Sequence, residues 1–346
     1  MSQADPTSTP TRILVTGAGG PAAIAVLHAV APDPTITVVA ADMDPWAAGL
    51  YLVAPSDRAI VPAGTSPDFV DAVVELCRRH RIDLLVPTID CELEPIARSA
   101  DRFAAEGVRL LLPESSVLEL TLDKLALAVT CRDVVRVPRT ERADATDPVS
   151  WDYPVIVKPR RGSGSRGVVV VDSADELATR ERTEDLIVQE FLPGEEYSVD
   201  VLADVDGTVC AAVPRVRQRV DSGVSVAGYT VLDPELVEFA VAVVEALGLP
   251  FVSNVQVRRD RDGAPALLEI NPRVPGSLAL TVAAGVDMAR LAVDALRGRP
   301  LPTSAPYRAV AMVRYLADQV VELDDLVTIA DGPDHGVHGR PTVATG

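Results

Sequence analysis

Apolar and polar positions alternate along the chain with two periods, marking short strands and amphipathic helices in regular succession. The apolar run from Arg12 to Thr16 ends in Gly17-Ala18-Gly19-Gly20, the helical stretch AAIAVLHAV follows, and the strand ITVVAAD ends at Asp42. That order predicts a βαβ unit with parallel strands. A helix over 67–79, a strand over 82–88, a helix near 92–106 and a strand over 108–113 extend it into an open α/β domain. A helix beginning near Asp123 opens a second region, in which a strand over 153–159 runs into Arg161-Gly162-Ser163-Gly164-Ser165-Arg166-Gly167 and a strand over 168–172. After a helix from Ala174 come the strands LIVQEF, EYSVDVLAD and TVCAAVPRV, a helix over 234–247, the strands SNVQVRRD and APALLEINP, and a helix over 278–297. Residues 1–11 and 331–346 carry no periodicity and read as mobile tails.

A chain of 346 residues exceeds one ordinary core, so about two domains are expected. The formal net charge of -18 argues against nucleic acid or an anionic membrane as a partner, so any anionic ligand needs a local positive cluster. No run is long and apolar enough to span a bilayer, and the first residues lack the order of a secretory signal, so a soluble, cytoplasmic protein is expected. Cys77, Cys91, Cys131 and Cys210 are scattered and read as reduced structural thiols, and no histidine lies in a motif. Of the 32 basic residues only Lys124 and Lys158 are lysines, which raises the question of what a compact ammonium does there that a guanidinium cannot.

The two glycine clusters suggest different chemistry. Gly17 to Ala22 fits G-x-G-x-x-A between a strand and a helix, with Asp42 downstream, and so permits an NAD-dependent oxidoreductase. The same glycines also suit the first tight turn of any doubly wound domain, and this structural reading is preferred because no hydride-transfer site follows. The second cluster lies after Lys158, where a flexible glycine and serine loop at a strand end suits a lid over a triphosphate. Downstream, Gln189-Glu190-Phe191-Leu192 offers backbone groups and an apolar wall for a purine. Period two puts Asn254 with Gln256 on one strand face, and Glu269 with Asn271 on a face of the next, an oxygen set suited to Mg²⁺.

These pieces, DKLAL, YPVIVKPRRGSGSRGV, VQEFLPGEEYSVDV, SNVQV and LLEINPRVPGS, occur in an order and spacing that resembles the ATP-grasp superfamily. The chain looks in particular like the ATP-grasp modules of the carbamoyl-phosphate synthase large subunit and the single-module carboxylate–amine ligases. The resemblance spans residues 12 to about 300. It implies an α/β fold, with an N-terminal Rossmann-like (pre-ATP-grasp) domain over 12–115 followed by an ATP-grasp fold of two α+β subdomains, 116–194 with the glycine lid and 195–330 with the metal and phosphate site. It implies that ATP is held by Lys124, Lys158, the loop residues Gly162, Ser163, Gly164, Ser165 and Gly167, then Glu190, Phe191 and Leu192 at adenine and Glu196 at the ribose. Gln256, Glu269 and Asn271 would hold one or two Mg²⁺, for which Mn²⁺ could substitute, and Lys158, Asn271 and Arg273 would act in catalysis. Many members carry a second acid where Gln256 stands, so less charge is available to a second metal.

Several further residues are open to two readings. Arg215, Arg217 and Arg219 share a strand face and either bind a substrate carboxylate or sit exposed on an edge strand. Asp90 and Glu92 follow a strand at the ligand-binding end of the sheet and could receive a substrate ammonium, although N-capping is preferred for Asp90. Ser277 is counted with the substrate set. The function expected is an ATP-dependent ligase joining a small-molecule carboxylate and an amine through an acylphosphate, with a homodimer compatible. The alternatives are a carbamoyl-phosphate-synthase-like kinase of bicarbonate or carbamate, and the NAD-dependent oxidoreductase.

Overall fold

The computed structural model describes residues 10–162, 164, 166–221 and 223–330. Ser163 and Ser165 and the expected tails over 1–9 and 331–346 lie outside the described residues, whereas Thr11 already belongs to the first strand.

The first unit comprises β1 (Thr11–Thr16), α1 (Pro21–Val30), β2 (Ile36–Asp42), β3 (Arg58–Ile60), α2 (Phe69–His80), β4 (Leu84–Val86), α3 (Asp90–Arg98), α4 (Ala100–Ala105) and β5 (Arg109–Leu110). Its parallel strands lie in the order β3-β2-β1-β4-β5, so the chain reverses direction across the sheet between β1 and β4. That switch point brings the first glycine cluster and the start of α3 to the same carboxyl end of the sheet. The strands are near-continuous apolar runs because helices cover both faces. The helix expected over 92–106 is two helices, divided at Ser99.

Two short helices, α5 (Ser115–Thr121) and α6 (Lys124–Cys131), lead into a four-stranded antiparallel sheet built from β6 (Thr140–Arg142), β7 (Val155–Pro159), β8 (Val169–Val171) and β9 (Leu186–Glu190), with α7 (Ala174–Thr179) packed on it. A six-stranded antiparallel sheet follows: β10 (Glu196–Ala203), β11 (Val209–Asp221), β12 (Val224–Thr230), β13 (Phe251–Arg259), β14 (Pro265–Asn271) and, after the helices, β15 (Ala311–Val313). The helices of this unit are α8 (Pro234–Leu247), α9 (Leu278–Ala284), α10 (Met288–Leu296) and α11 (Leu323–Ala330). The helix expected over 278–297 breaks at Gly285, which takes a left-handed φ of 117° at the end of α9. β12 escaped the period-two reading because glycine and small residues interrupt its alternation.

The two faces of the large sheet do different work. Val199, Val201, Val255, Val257 and Leu267 on one face pack with Leu236, Ala240 and Val243 of α8. On the other face Leu202, Val213 and Val252 join the core that also holds Ile13, Ala23 and Leu27 of the first unit and Ala289 and Val293 of α10. The first unit and the large sheet therefore share one apolar core at that end, which fixes their relation by burial. Past this core, the same face turns polar. No helix among the described residues is long and apolar enough to cross a membrane.

Candidate active site

One helix cap and one ion pair build the lysine end of the site. Asp123 accepts from the amides of Leu125 (3.0 Å) and Ala126 (3.2 Å), capping α6 and placing Lys124 in its first turn. The guanidinium of Arg160, just past β7, grips the same carboxylate through its Nε at 3.1 Å, so the end of β7 is tied to the start of α6. Lys158 sits one residue before the end of that strand. Its pKa is pushed down to about 8 by burial and by Lys124, with Glu269 opposing. Lys124 Nζ lies 3.4 Å from Glu269 Oε2 and donates to the carbonyl of Gly162 at 2.8 Å.

The strand register supplies the opposite wall. Gln256 on β13 stands directly across from Glu269 on β14, and Asn254 across from Asn271, so all four share one sheet face. Glu196 of β10 lies on this face too, with Oε1 2.6 Å from Arg217 Nη1, and that guanidinium reaches to 3.5 Å from Gln256 Oε1.

Lys124, Lys158, Gly162, Glu190, Phe191, Leu192, Glu196, Gln256 and Glu269 thus line one cleft between the two antiparallel sheets, enclosing about 790 Å³ with its open mouth included. Sequence reasoning missed the apolar walls Ile156, Val168 and Leu268 and the cations Arg166 and Arg258, which line the cleft as well. Ile156 lies on β7 beside Lys158 and Val168 directly after the glycine loop, so proximity to those motifs was the available signal. In the loop, Gly162, Gly164 and Gly167 all adopt positive φ, a path closed to most side chains. The Glu190 carboxylate is held by Arg136 Nη2 (2.7 Å) and the Arg139 amide (3.0 Å).

Other candidates lie elsewhere. Asn271 and Arg273 are outside the cleft lining, and Arg273 forms a two-pronged ion pair with Asp90, its Nη2 2.9 Å from Oδ2. The N-cap of α3 is Ile89, so the capping role expected for Asp90 is replaced by this long-range pair. Arg215 is corrected as a substrate residue: it is 2% exposed, and its Nε donates to Asp200 Oδ2 at 2.8 Å in a network completed by Asn254 and Thr281. β11 is an interior strand, so the edge-strand alternative fails as well. Bulges on either side of Arg219 disrupt the shared face, leaving Arg219 exposed. Ser277 is buried at the start of α9 without a side-chain cap bond.

Glu92 is corrected in the same way. It is 5% exposed beneath β1, where it accepts from Thr16 Oγ1, and burial pushes its pKa up to about 7. Because the folded value lies above the ordinary 4.5, its ionisation opposes folding and stability falls as pH rises from about 4.5 to about 7. Glu92→Gln should therefore gain about 3 kcal/mol over the wild type at pH 8 and lose most of that advantage by pH 4.5. Urea unfolding at the two pH values checks this, and an equal difference at both would show that Glu92 does not titrate in that window.

The first glycine cluster is closed by its own surroundings. Gly17 has φ +67°, and a Cβ there would come within 2.3 Å of the Ile89 side chain. The Gly19 amide donates to Asp42 Oδ2 at 2.8 Å. The acid and amide that a dinucleotide would use are thus bonded to each other, which favours the structural reading of this motif.

Comparison with known proteins bears on the fold. Residues 182–319 match the family model described as ATP-grasp in the biosynthetic pathway with Ter operon, and residues 13–111 match the PylC-like N-terminal domain. Among solved structures, the biotin carboxylase domain of 2-oxoglutarate carboxylase from Hydrogenobacter thermophilus superposes with TM-score 0.71 at 18% identity, covering 86% of this chain and 72% of that one. N5-carboxyaminoimidazole synthetase from Staphylococcus aureus, complexed with ADP, gives 0.69 at 15% identity over 88% of this chain and 82% of its own. The L-amino acid ligase of Bacillus licheniformis gives 0.65 at 18% identity over 86% and 76%. At such identities the likeness establishes the fold.

Proposed function

The chain carries an ATP-grasp fold behind a PylC-like N-terminal domain, and from that premise we propose that it is an ATP-dependent ligase joining a carboxylate to an amine. The observation that carries this reading is the convergence of Lys124 and Lys158, from a helix and a strand of different elements, on a cleft that faces Glu269. A buried ammonium whose charge is disfavoured gains most from an anion entering beside it, so the lysines fit a phosphate tail. The carboxylate of Glu269 and the amide oxygen of Gln256, both lining the cleft, fit Mg²⁺, a hard cation that prefers oxygen, and Asn271 follows Glu269 on the same sheet face outside the lining. Bound there, Mg²⁺ would supply charge neutralisation of the phosphates.

The chain's own residues then have separable tasks. Ile156, Val168, Phe191, Leu192 and Leu268 enclose the adenine, with backbone groups at 190–192 as its polar partners. Glu196, already oriented by Arg217, takes the ribose hydroxyls. Lys158 and Lys124 draw charge from the phosphates, and the glycine loop folds over them to exclude water. The substrate carboxylate oxygen attacks the γ-phosphorus, ADP departs, and the amine displaces phosphate from the acyl carbon as its proton passes to solvent. Because in-line phosphoryl transfer needs little covalent help, positioning and electrostatics provide the rate.

With ¹⁸O in the substrate carboxylate, one label should pass to inorganic phosphate, with ADP as the nucleotide product. Pooled amino acids and small carboxylates, screened for ADP release, identify the substrate first. Label recovered in AMP with pyrophosphate would mean adenylation and overturn the mechanism.

A further inference from the structure

An ion pair in the wall of the cleft is kept open by its own anchors. Arg258 on β13 stands directly opposite Glu196 on β10 and both line the cleft, yet Arg258 Nη1 lies 3.9 Å from Glu196 Oε2. Each partner is tied elsewhere. Glu196 Oε1 accepts from Arg217 Nη1 at 2.6 Å, and Arg258 Nε donates to the carbonyl of Gly194 at 2.9 Å. Gly194 lies close against β13, its amide donating to the Arg259 carbonyl at 3.0 Å, and a Cβ there would come within 2.5 Å of that same oxygen. The glycine is what lets its carbonyl reach Arg258.

The open pair is too long for a direct hydrogen bond and fits one bridging oxygen, because a bond of about 2.9 Å from the nitrogen and one of about 2.7 Å from the carboxylate meet across such a gap. The bridging group must accept from the guanidinium and donate to the carboxylate. An ammonium cannot accept, and an ionised carboxylate or phosphate oxygen cannot donate, whereas a hydroxyl does both. We infer that Arg258 is a sugar-binding residue that, with Glu196, brackets one ribose hydroxyl between a donor and an acceptor, Arg217 being the positioning residue that holds Glu196. This rests on the reading of the cleft as an ATP site and adds to it a contact outside the ligase motifs. The hydroxyl oxygen accepts from Arg258 Nη1 and its hydrogen goes to Glu196 Oε2, so neither anchored side chain has to move.

Calorimetric titration with the magnesium complexes of ADP, 2′-deoxyADP and 3′-deoxyADP tests this without the ligase substrates. Two hydrogen bonds to charged groups are at stake, so the wild type should bind the analogue lacking the bracketed hydroxyl about thirtyfold more weakly than ADP. Arg258→Met keeps an unbranched apolar stem and removes the donors, and it should shrink that ratio to about threefold, mainly by weakening ADP. Glu196→Gln should shrink it as well. A loosened fold would weaken all three nucleotides alike and leave the ratio as in the wild type, which counts against the proposal. A ratio preserved in Arg258→Met but lost in Glu196→Gln would overturn the role of Arg258 and leave the nucleotide site in place. Equal wild-type affinities for ADP and both deoxy analogues would overturn the bracket itself. Failure of the wild type to bind Mg-ADP or the magnesium complex of AMPPNP, a non-hydrolysable ATP analogue, would instead overturn the ATP reading of the cleft.

Discussion

Glu269→Gln is expected to lower turnover by roughly 100-fold or more at every Mg²⁺ concentration, with the thermal unfolding midpoint little changed. The carboxylate faces Gln256 across the sheet and lies 3.4 Å from Lys124, so it is the charged member of a set whose other oxygens are neutral amides. Glutamine preserves the volume and one oxygen and removes the charge. A hard cation then meets only neutral ligands, and its occupancy falls. The side chain is partly exposed on a polar face away from the apolar core, so the fold does not depend on it. Titration of Mn²⁺ by electron paramagnetic resonance in the presence of the ATP analogue would report the same loss without turnover. Wild-type activity in the variant would move the metal to other residues.

Lys158→Arg should lower ATP turnover by a similar factor and should also change the dependence of binding on pH. The side chain is 7% exposed between β9 and the glycine loop, and a planar guanidinium needs more room than an ammonium. In the ligand-free wild type, the ammonium loses its proton as pH rises through about 8. The association constant for Mg-ATP should therefore fall above that pH, by at most about tenfold per unit, whereas in the arginine variant it should stay flat to pH 9.5. The same shift has the opposite sign for folding. Because the folded pKa lies below the ordinary 10.5, the burial penalty on the charged form is full below about pH 8 and is relieved as pH rises from 8 to 10.5, so this group adds stability with rising pH. Calorimetric titrations from pH 7 to 9.5 check the binding claim. A pH-independent affinity in the wild type would place another group at the phosphates.

The arrangement of the cleft was legible where chemistry follows local spacing. A lysine ending a strand before a glycine loop needs only the strand period to be placed, and the pairing of Gln256 with Glu269 follows once two strands lie side by side. The apolar walls were not legible as a set. Ile156 and Leu268 are ordinary strand residues and Val168 leads into β8, and only the approach of two sheets makes one surface of them. Arg215 shows the opposite failure: its alternation with Arg217 was visible, but its burial against Asp200 depends on a neighbouring strand and on Thr281 from α9.

By itself the sequence determined the alternation of strands and helices, the two glycine turns and the positions of the two lysines, because each depends on backbone preferences and side-chain chemistry within a few residues. The tertiary structure decided which charges are free to meet a ligand. Asp90 is taken by Arg273 at a separation of 183 residues, and Glu92 is sealed beneath β1 by Thr16, 76 residues away. Charges at such separations find one another only after the shared apolar core has brought the first sheet and the large sheet together, since burial is what places their helices and strands within bonding distance.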